Sequence, residues 1–376
     1  DECVEKITYL NNNPEVLKKI SENGRKRTLR DHTTKDRVGK INDILKGKSL
    51  KKTSGYKISL GESKRLVASY DLNVYPISYD FIFFLQAAHI KSQQENCNEV
   101  IVEILWPSDF EDLDGVSKDA QDFYKKGLRS RVNNIMLQIA DKFPHFNFIN
   151  SKHKKLEISL ENDYFYPEEN NTHHNEFYRI VNSHPDKVLN IESSEFSKNY
   201  LSKKVLLNER RKLITLTIRK GLDEDRDTNN TEWEAFLNSL DEDKYKIIII
   251  PDTDNIDITL KNKYGKPYES FAEASLNFDF RLAIYEKAYL NLCVNNGPCI
   301  AATFDKEFHF LMFKIECPSI PHTSIEFIKD AGFTPYEDPA YHNQFQHWVW
   351  NDDERKIIKN EFNKFCMLKE KKSLNQ

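Results

Sequence analysis

The chain has 376 residues, 39% of them apolar and 12% aromatic, more than one core usually serves, so two domains or half-domains are expected. Its 55 Lys and Arg against 59 Asp and Glu leave a net charge of −4, without the basic excess of a general nucleic-acid binder, although a local basic pocket for a phosphorylated ligand stays open. No apolar run reaches the ~18 residues of a membrane-spanning helix; the longest, around Phe81–Ala88 and Ile247–Pro251, have core length.

Asp1-Glu2-Cys3 lacks both an initiator Met and a signal-peptide pattern, which predicts a cytoplasmic protein whose reading frame begins further upstream. Cys3, Cys97, Cys293, Cys299, Cys317 and Cys366 have no metal-ligand spacing and read as reduced thiols. Residues 1–47 read as helical, with Pro14 at one helix start and Gly24 at its end, and the lysine-rich stretch 48–55 reads as a linker.

From residue 56 strands and helices alternate. A strand is expected over Arg65–Leu72, an aromatic-rich helix over Ile77–Lys91, a buried strand over Val100–Trp106 and an amphipathic helix over Lys118–Lys142. Phe146–Ile149, Leu156–Leu160 and Lys187–Ile191 read as short strands, and Glu161–Asn175 as an exposed loop. A second series follows: strand Leu213–Ile218, helix Glu232–Leu240, strand Tyr245–Pro251, helix Phe280–Val294, strands Ile300–Thr303 and Phe308–Ile315, and helices Ser324–Ala331 and Asp352–Leu368. The pattern predicts an α/β chain of two Rossmann-type doubly wound halves, 56–205 and 206–376, with a cleft between them.

Ligands of such sheets sit beyond the carboxyl ends of the strands. Arg219 follows one strand and opens a polar loop with Arg226; an arginine there can hold a diphosphate, or serve a solvated charged turn. Asp252 and Thr253, with Asp254, stand at the mouth of the next strand, to accept sugar hydroxyls or to cap a turn. Asp279 fits a helix N-cap. Arg281 then lies against the positive helix end, which suits an anionic ligand or an ion pair, with Tyr285 one turn on. Asn295-Asn296-Gly297-Pro298 reads as a helix stop or as a tight turn offering amides to a nucleotide or sugar.

Gln346, beside Trp348 and Trp350, could meet carbohydrate hydroxyls, whereas the tryptophans suit packing better. Asp71, Asn73, Pro76, Ser78 and Asp80 follow the first strand; Asp71 or Asp80 would be the base for an acceptor hydroxyl, and Asp80 equally a helix cap. GxGxxG, Walker, HExxH and GxSxG motifs are lacking, which disfavours a nucleotide-dependent methyltransferase, and His173-His174 reads as solvent-exposed.

Asn13-Pro14-Glu15, Asn23-Gly24-Arg25, His32-Thr33 and Arg37 resemble the closing helices of the family-one-like glycosyltransferase domain of CgeB-type spore-maturation proteins. That resemblance implies the tail of an upstream transferase domain with no catalytic residues of its own. Residues 56–370, through the Asp71/Pro76/Asp80 string, Arg219, IIIIPDT, the NNGP turn and Gln346 with Trp350, resemble bacterial sugar-transferase-like proteins of GT-B type from surface-polysaccharide loci. A looser similarity to fucosyltransferase-like GT-B enzymes keeps only the arginine of their His-x-Arg-x-x-Asp string, in Thr217-Ile218-Arg219.

These resemblances imply a metal-independent glycosyltransferase with no cofactor. A nucleotide-sugar donor would meet Arg219, Arg226, Asp252, Thr253, Arg281, Tyr285, Asn295, Asn296, Gly297 and Gln346, and a carbohydrate or glycoconjugate acceptor the first half. The competing expectation is a degenerate transferase domain that binds a partner without catalysis.

Overall fold

The computed structural model describes residues 64–106, 127–128, 130–152, 163–167, 173–221, 224–253 and 255–374. The expected tail 1–47, the linker 48–55, the strand Leu156–Leu160, Asp254 and the first part of the helix expected over Lys118–Lys142 lie outside the described residues. Everything described belongs to one structural unit, Glu62–Gln376.

The described strands form two separate sheets in which every ladder is parallel. The first has four strands in the order β3-β2-β1-β4: β1 (Arg65–Asp71), β2 (Glu99–Trp106), β3 (Phe146–Lys152) and β4 (Asp163–Tyr166). The second has six, in the order β10-β9-β8-β5-β6-β7: β5 (Lys212–Thr217), β6 (Tyr245–Ile250), β7 (Glu269–Ser270), β8 (Leu290–Val294), β9 (Phe310–Phe313) and β10 (Gln346–Trp348). Counted from β5, this is the 3-2-1-4-5-6 order of a doubly wound nucleotide-binding sheet.

Helices join the strands: α1 (Phe81–Gln94), α2 (Leu137–Ala140), α3 (Asn175–Ser183), α4 (Glu195–Tyr200) and α5 (Asn230–Leu237). They continue with α6 (Glu273–Leu276), α7 (Phe278–Lys287), α8 (Gly297–Ala302), α9 (Ile325–Asp330) and α10 (Arg355–Leu374).

Strand periodicity divides the second sheet between two cores, because successive side chains point to opposite faces. Leu213, Phe310 and Met312 join the core that runs on through Tyr285 and α1 to the first sheet. Ile214, Leu216, Leu311 and Phe313 join the core beneath α5 and α10, around Trp233, Phe236 and Phe362. Helices therefore cover both faces, and β8 is buried along its whole length; its one polar side chain, Asn291, accepts from Thr215 Oγ1 at 2.5 Å and donates to Tyr285 O at 3.0 Å.

Several expectations need correction. The helix expected over Phe280–Val294 is α7 followed by β8; the pair Ala288-Tyr289, without glycine or proline, makes the break. Ile300–Thr303, expected as a strand, lies largely in α8, whose first turn Asn296 caps by accepting from the Cys299 amide at 3.0 Å and whose start Pro298 favours. Lys187–Ile191 is no strand: the Gln86 side chain pairs with both the N–H and the C=O of Leu189, and the Ile191 amide donates to Phe304 O. Within the expected loop Glu161–Asn175, β4 pairs with β1 and Asp163 makes a two-bond ion pair with Arg65.

Candidate functional site

The first sheet's centre, β1, delivers the loop Leu72–Asp80 at its carboxyl end. Asp71 there accepts from both the backbone and the side-chain nitrogen of Asn73, at 2.8 and 2.9 Å, and so closes a turn. Asp80 is placed differently. It stands at the N-terminus of α1 with no side-chain cap bond, and accepts from Ser78 Oγ at 2.6 Å. Tyr178 of α3 also hydrogen-bonds it; burial, then the Asp80 charge, pushes that phenol well above its ordinary pKa, so the phenol stays a proton donor to the carboxylate.

In the second sheet the strand order reverses between β5 and β8, and ligands of doubly wound sheets bind at such a switch point. Beyond β5 lies the loop of Arg219 and Arg226; beyond β8 lies Asn295-Asn296-Gly297-Pro298. The NNGP turn thus links a strand end to a helix start, the reverse of the helix-to-strand link expected. Arg226 Nη2 donates to Asn295 O at 3.4 Å, which joins the two loops.

A cavity of about 90 Å³ lies where the two sheets' carboxyl ends meet, lined by Asp80, Tyr178, Asn295, His322, Trp348 and apolar side chains that include Phe83 and Phe327. Tyr79 packs beside this junction: a Cβ on Gly297 would stand 3.0 Å from its ring, closer than ordinary van der Waals contact, so glycine there lets the two loops approach without displacing the ring. His174, expected in solvent, is half-buried against Tyr178 and Phe327, and burial, then His173, lowers its pKa.

The other candidates are spread differently from the expectation. Arg219 Nη1 donates to Asp227 at 2.8 Å, and Asp227 also takes Lys220 Nζ at 2.7 Å and the Gly221 amide at 2.8 Å. Asp252 accepts from the Lys220 amide at 3.2 Å, and Thr253 Oγ1 donates to Ser275 O at 3.1 Å; both therefore brace the loops after β5 and β6. Arg281 and Tyr285, expected to touch the donor, are core residues instead. The Arg281 guanidinium donates to Ala274 O and Tyr285 Oη, at 2.9 and 3.1 Å, and the Tyr285 hydroxyl reaches Thr217 Oγ1 at 2.6 Å.

Gln346 is likewise structural: buried, it donates from Nε2 toward the carbonyls of Thr303, Asp305 and Phe308. Asn296 is spent as the α8 cap. Asp279 does not cap α7, a role that Asn277 fills; it accepts from Ser194, Ser197 and Lys142 across to α4, and these bonds hold its carboxyl down at about 2 against the opposing effect of burial.

Two residues outside the sequence expectation organise the switch point. Asp353, buried before α10, accepts from the Asn229 amide at 2.8 Å and Trp233 Nε1 at 2.7 Å, and pairs with Lys314 at 3.0 Å. Lys314, which ends β9 in left-handed backbone (φ 53°), also donates to Asp227 O at 2.8 Å. Lys314 directly after the apolar strand FLMF was the available signal, whereas Asp352-Asp353 read only as a helix start. Beside them an open depression of about 540 Å³ carries Glu224, Asp225, Asp227, Glu316 and Asp352 around Lys314, so the outer mouth of β5 is predominantly acidic. Among the described residues no three His, Cys, Asp or Glu side chains could share a metal ion, and no helix is long and apolar enough to cross a membrane.

Two doubly wound parallel sheets whose carboxyl edges meet at a shared cavity define a GT-B-like α/β fold. A family model described as "Glycosyl transferase-like" matches residues 1–43, a stretch that contains the string from Asn13 to Arg37. Among solved structures, the chain is similar to the Escherichia coli ADP-heptose LPS heptosyltransferase II, at 11% identity and a TM-score of 0.43, over 82% of this chain and 99% of that one. It is also similar to a glycosyl transferase family 9 structure from Veillonella parvula, at 9% identity and a TM-score of 0.39, over 76% of this chain and 85% of that one. The E. coli heptosyltransferase WaaC with ADP gives 8% identity and a TM-score of 0.39, over 80% and 99% of the two chains. No curated protein matches the chain in sequence.

Proposed function

We propose that the chain is a glycosyltransferase that moves a sugar from a nucleotide-sugar donor to a carbohydrate or glycoconjugate acceptor of the surface-polysaccharide kind, without a metal. The observation that carries this reading is the placement of Asp80 and Asn295, from the reversal points of two doubly wound sheets, on one cavity. The donor diphosphate lies at the β5/β8 switch point, where Arg226 already bridges to Asn295 and Arg219 exchanges Asp227 for the incoming anion. Arg281, Tyr285, Asn296 and Gln346 support this loop framework from beneath; Asp252 and Thr253 brace its flank.

Asp80 is the base. It takes the proton of the acceptor hydroxyl as that oxygen bonds to the anomeric carbon, while the bond from that carbon to the diphosphate breaks and its electron pair leaves with the diphosphate. Asp71, closed into its turn by Asn73, is the poorer base. Ser78 and Tyr178 hold the Asp80 carboxylate toward the cavity by donating hydrogen bonds to it. Calorimetry with UDP-, GDP-, ADP- and CMP-sugars tests the reading: one donor class should bind, Arg226→Ala should weaken it, and Asp80→Asn should abolish transfer while binding persists. Absence of binding by all four classes overturns it.

The second reading, a non-catalytic partner-binding domain, draws support from the Arg219–Asp227 pair and the acidic mouth of β5, which leave little unpaired positive charge for a diphosphate. Donor hydrolysis or transfer by the isolated chain separates the two.

A further inference from the structure

Away from the inter-sheet cavity, the edge strand β10 and the face of α10 enclose a groove of about 510 Å³, a volume in the range of roughly 300–1,000 Å³ of small-molecule sites. Its aromatic wall is Tyr336, Trp348 and Trp350, with Tyr336 and Trp350 centroids 5.1 Å apart and the two indoles 6.1 Å apart. Tyr336 is 68% exposed and holds a left-handed backbone (φ 66°), a conformation that is unfavourable for a residue with a side chain. An aromatic ring kept in water on strained backbone gains nothing for the core; it gains a flat face presented to a ligand.

The rim is polar and carries both signs of charge. His347 pairs with Asp338 at 2.8 Å, Lys364 with Glu361 at 2.7 Å, and Asn351 stands between the strand and the helix. Such a rim offers many donors and acceptors without a block of charge of one sign, which suits an uncharged polyhydroxyl chain better than a polyanion or a charged peptide. The Nε1–H groups of Trp348 and Trp350 are buried and have no acceptor among the described residues, so a ligand in the groove would meet the ring faces of the indoles rather than their N–H groups. Trp348 also lines the cavity that holds Asp80 and Asn295, so the groove and the cavity share a wall.

We propose that this groove binds a neutral oligosaccharide segment of the acceptor, its pyranose faces on Tyr336 and Trp350, and leads the chain end past Trp348 toward Asp80. The acceptor is then a glycan of several residues rather than a single sugar. This assignment rests on the glycosyltransferase reading, yet its test is independent of donor binding.

Tryptophan fluorescence of the full chain is titrated with cellohexaose, chitohexaose, mannohexaose and maltohexaose, and with the four parent monosaccharides. At least one hexasaccharide should bind tenfold or more tightly than its monosaccharide. Tyr336→Ala should weaken that binding about tenfold, Tyr336→Phe should keep it, and both should leave nucleotide-sugar calorimetry unchanged. Failure of all four hexasaccharides to bind overturns the groove assignment, as does binding that Tyr336→Ala leaves intact. Self-association through the β10 edge that Tyr336→Ala abolishes, seen by sedimentation, overturns it in favour of a second copy of the chain as occupant. Failure of the donor calorimetry alone would overturn the transferase reading and leave the groove standing.

Discussion

Asp353→Ala removes a carboxylate that three elements share. Asp353 is 1% exposed and satisfies the Asn229 amide at the start of α5, the indole N–H of Trp233 within α5, and the largely buried ammonium of Lys314 at the end of β9. Truncation strands the buried Trp233 indole N–H, takes the acceptor from the part-buried Asn229 amide, and leaves the largely buried Lys314 ammonium without its carboxylate. Breaking a buried pair in this way costs about 4 kcal/mol. For a chain of this size roughly 2 °C of melting temperature accompanies each kcal/mol, so the midpoint should fall by about 8 °C.

Asp353→Asn keeps an oxygen for Asn229 or Trp233 and loses only the charge, so it should cost about half as much. Differential scanning calorimetry reads the midpoints. Hydrogen exchange at the Asn229 amide reads the local effect, since that amide loses its acceptor in the alanine variant and should exchange with the freed loop. A midpoint within about 1 °C of the parent protein would refute the argument that this carboxylate holds the switch-point loops together.

Asp305, fully buried, has its carboxyl pushed up to about 8 by burial first, with Glu286 beside it adding to the rise against the lowering effect of the Glu307 amide. Its folded pKa exceeds the unfolded one, so the stability it contributes is fully present below about pH 4 and is lost as pH rises through about 8. Asp305→Asn should therefore flatten the stability profile over that window and stabilise the protein at pH 8 by a few kcal/mol, as urea unfolding at pH 5 and pH 8 would measure; equal effects at both pH values would refute it. Gly332 (φ 83°) would place a Cβ 3.2 Å from the Arg179 backbone, whereas Gly265 (φ 73°) meets nothing within 4 Å. Gly332→Ala should accordingly cost at least ~1 kcal/mol more than Gly265→Ala in denaturant unfolding, and equal costs would refute the clash. Gln346→Leu should lower the melting temperature without weakening donor binding in calorimetry, because its amide meets three carbonyls and no cavity; a selective loss of donor affinity would return it to the site.

The misread elements share a cause. Ile300–Ala302 is apolar and too short for periodicity to distinguish helix from strand, and the cap that decided it, Asn296, read as a stop signal. β8 follows α7 without Gly or Pro, and as a central strand it is buried on both faces and apolar at every position but Asn291, so its pattern merges with that of the helix. β4 and β10 have four and three residues, and Tyr164 and Phe165 stay more than a third exposed, so no apolar alternation marks them; pairing with β1 and β9 does.

For the candidate site, periodicity and turn signals alone picked out the loops to consider. Strand periodicity located the carboxyl ends of β1, β5 and β6, which lead to Asp80, Arg219 and Asp252, whereas Asn295 was marked only as a turn signal after an expected helix that the structure divides into α7 and β8. It could not rank the polar residues within them, because a charged side chain looks alike in sequence whether it faces a ligand or pays for its own burial. Tertiary structure decided that: Arg281, Tyr285 and Gln346 are buried where no ligand reaches, Asp71 is spent on a turn, and Asp80 faces a cavity whose far wall, Asn295, lies more than 200 residues along the chain. Side-chain role follows from hydrogen-bond partners and desolvation, and here most of those partners come from distant elements.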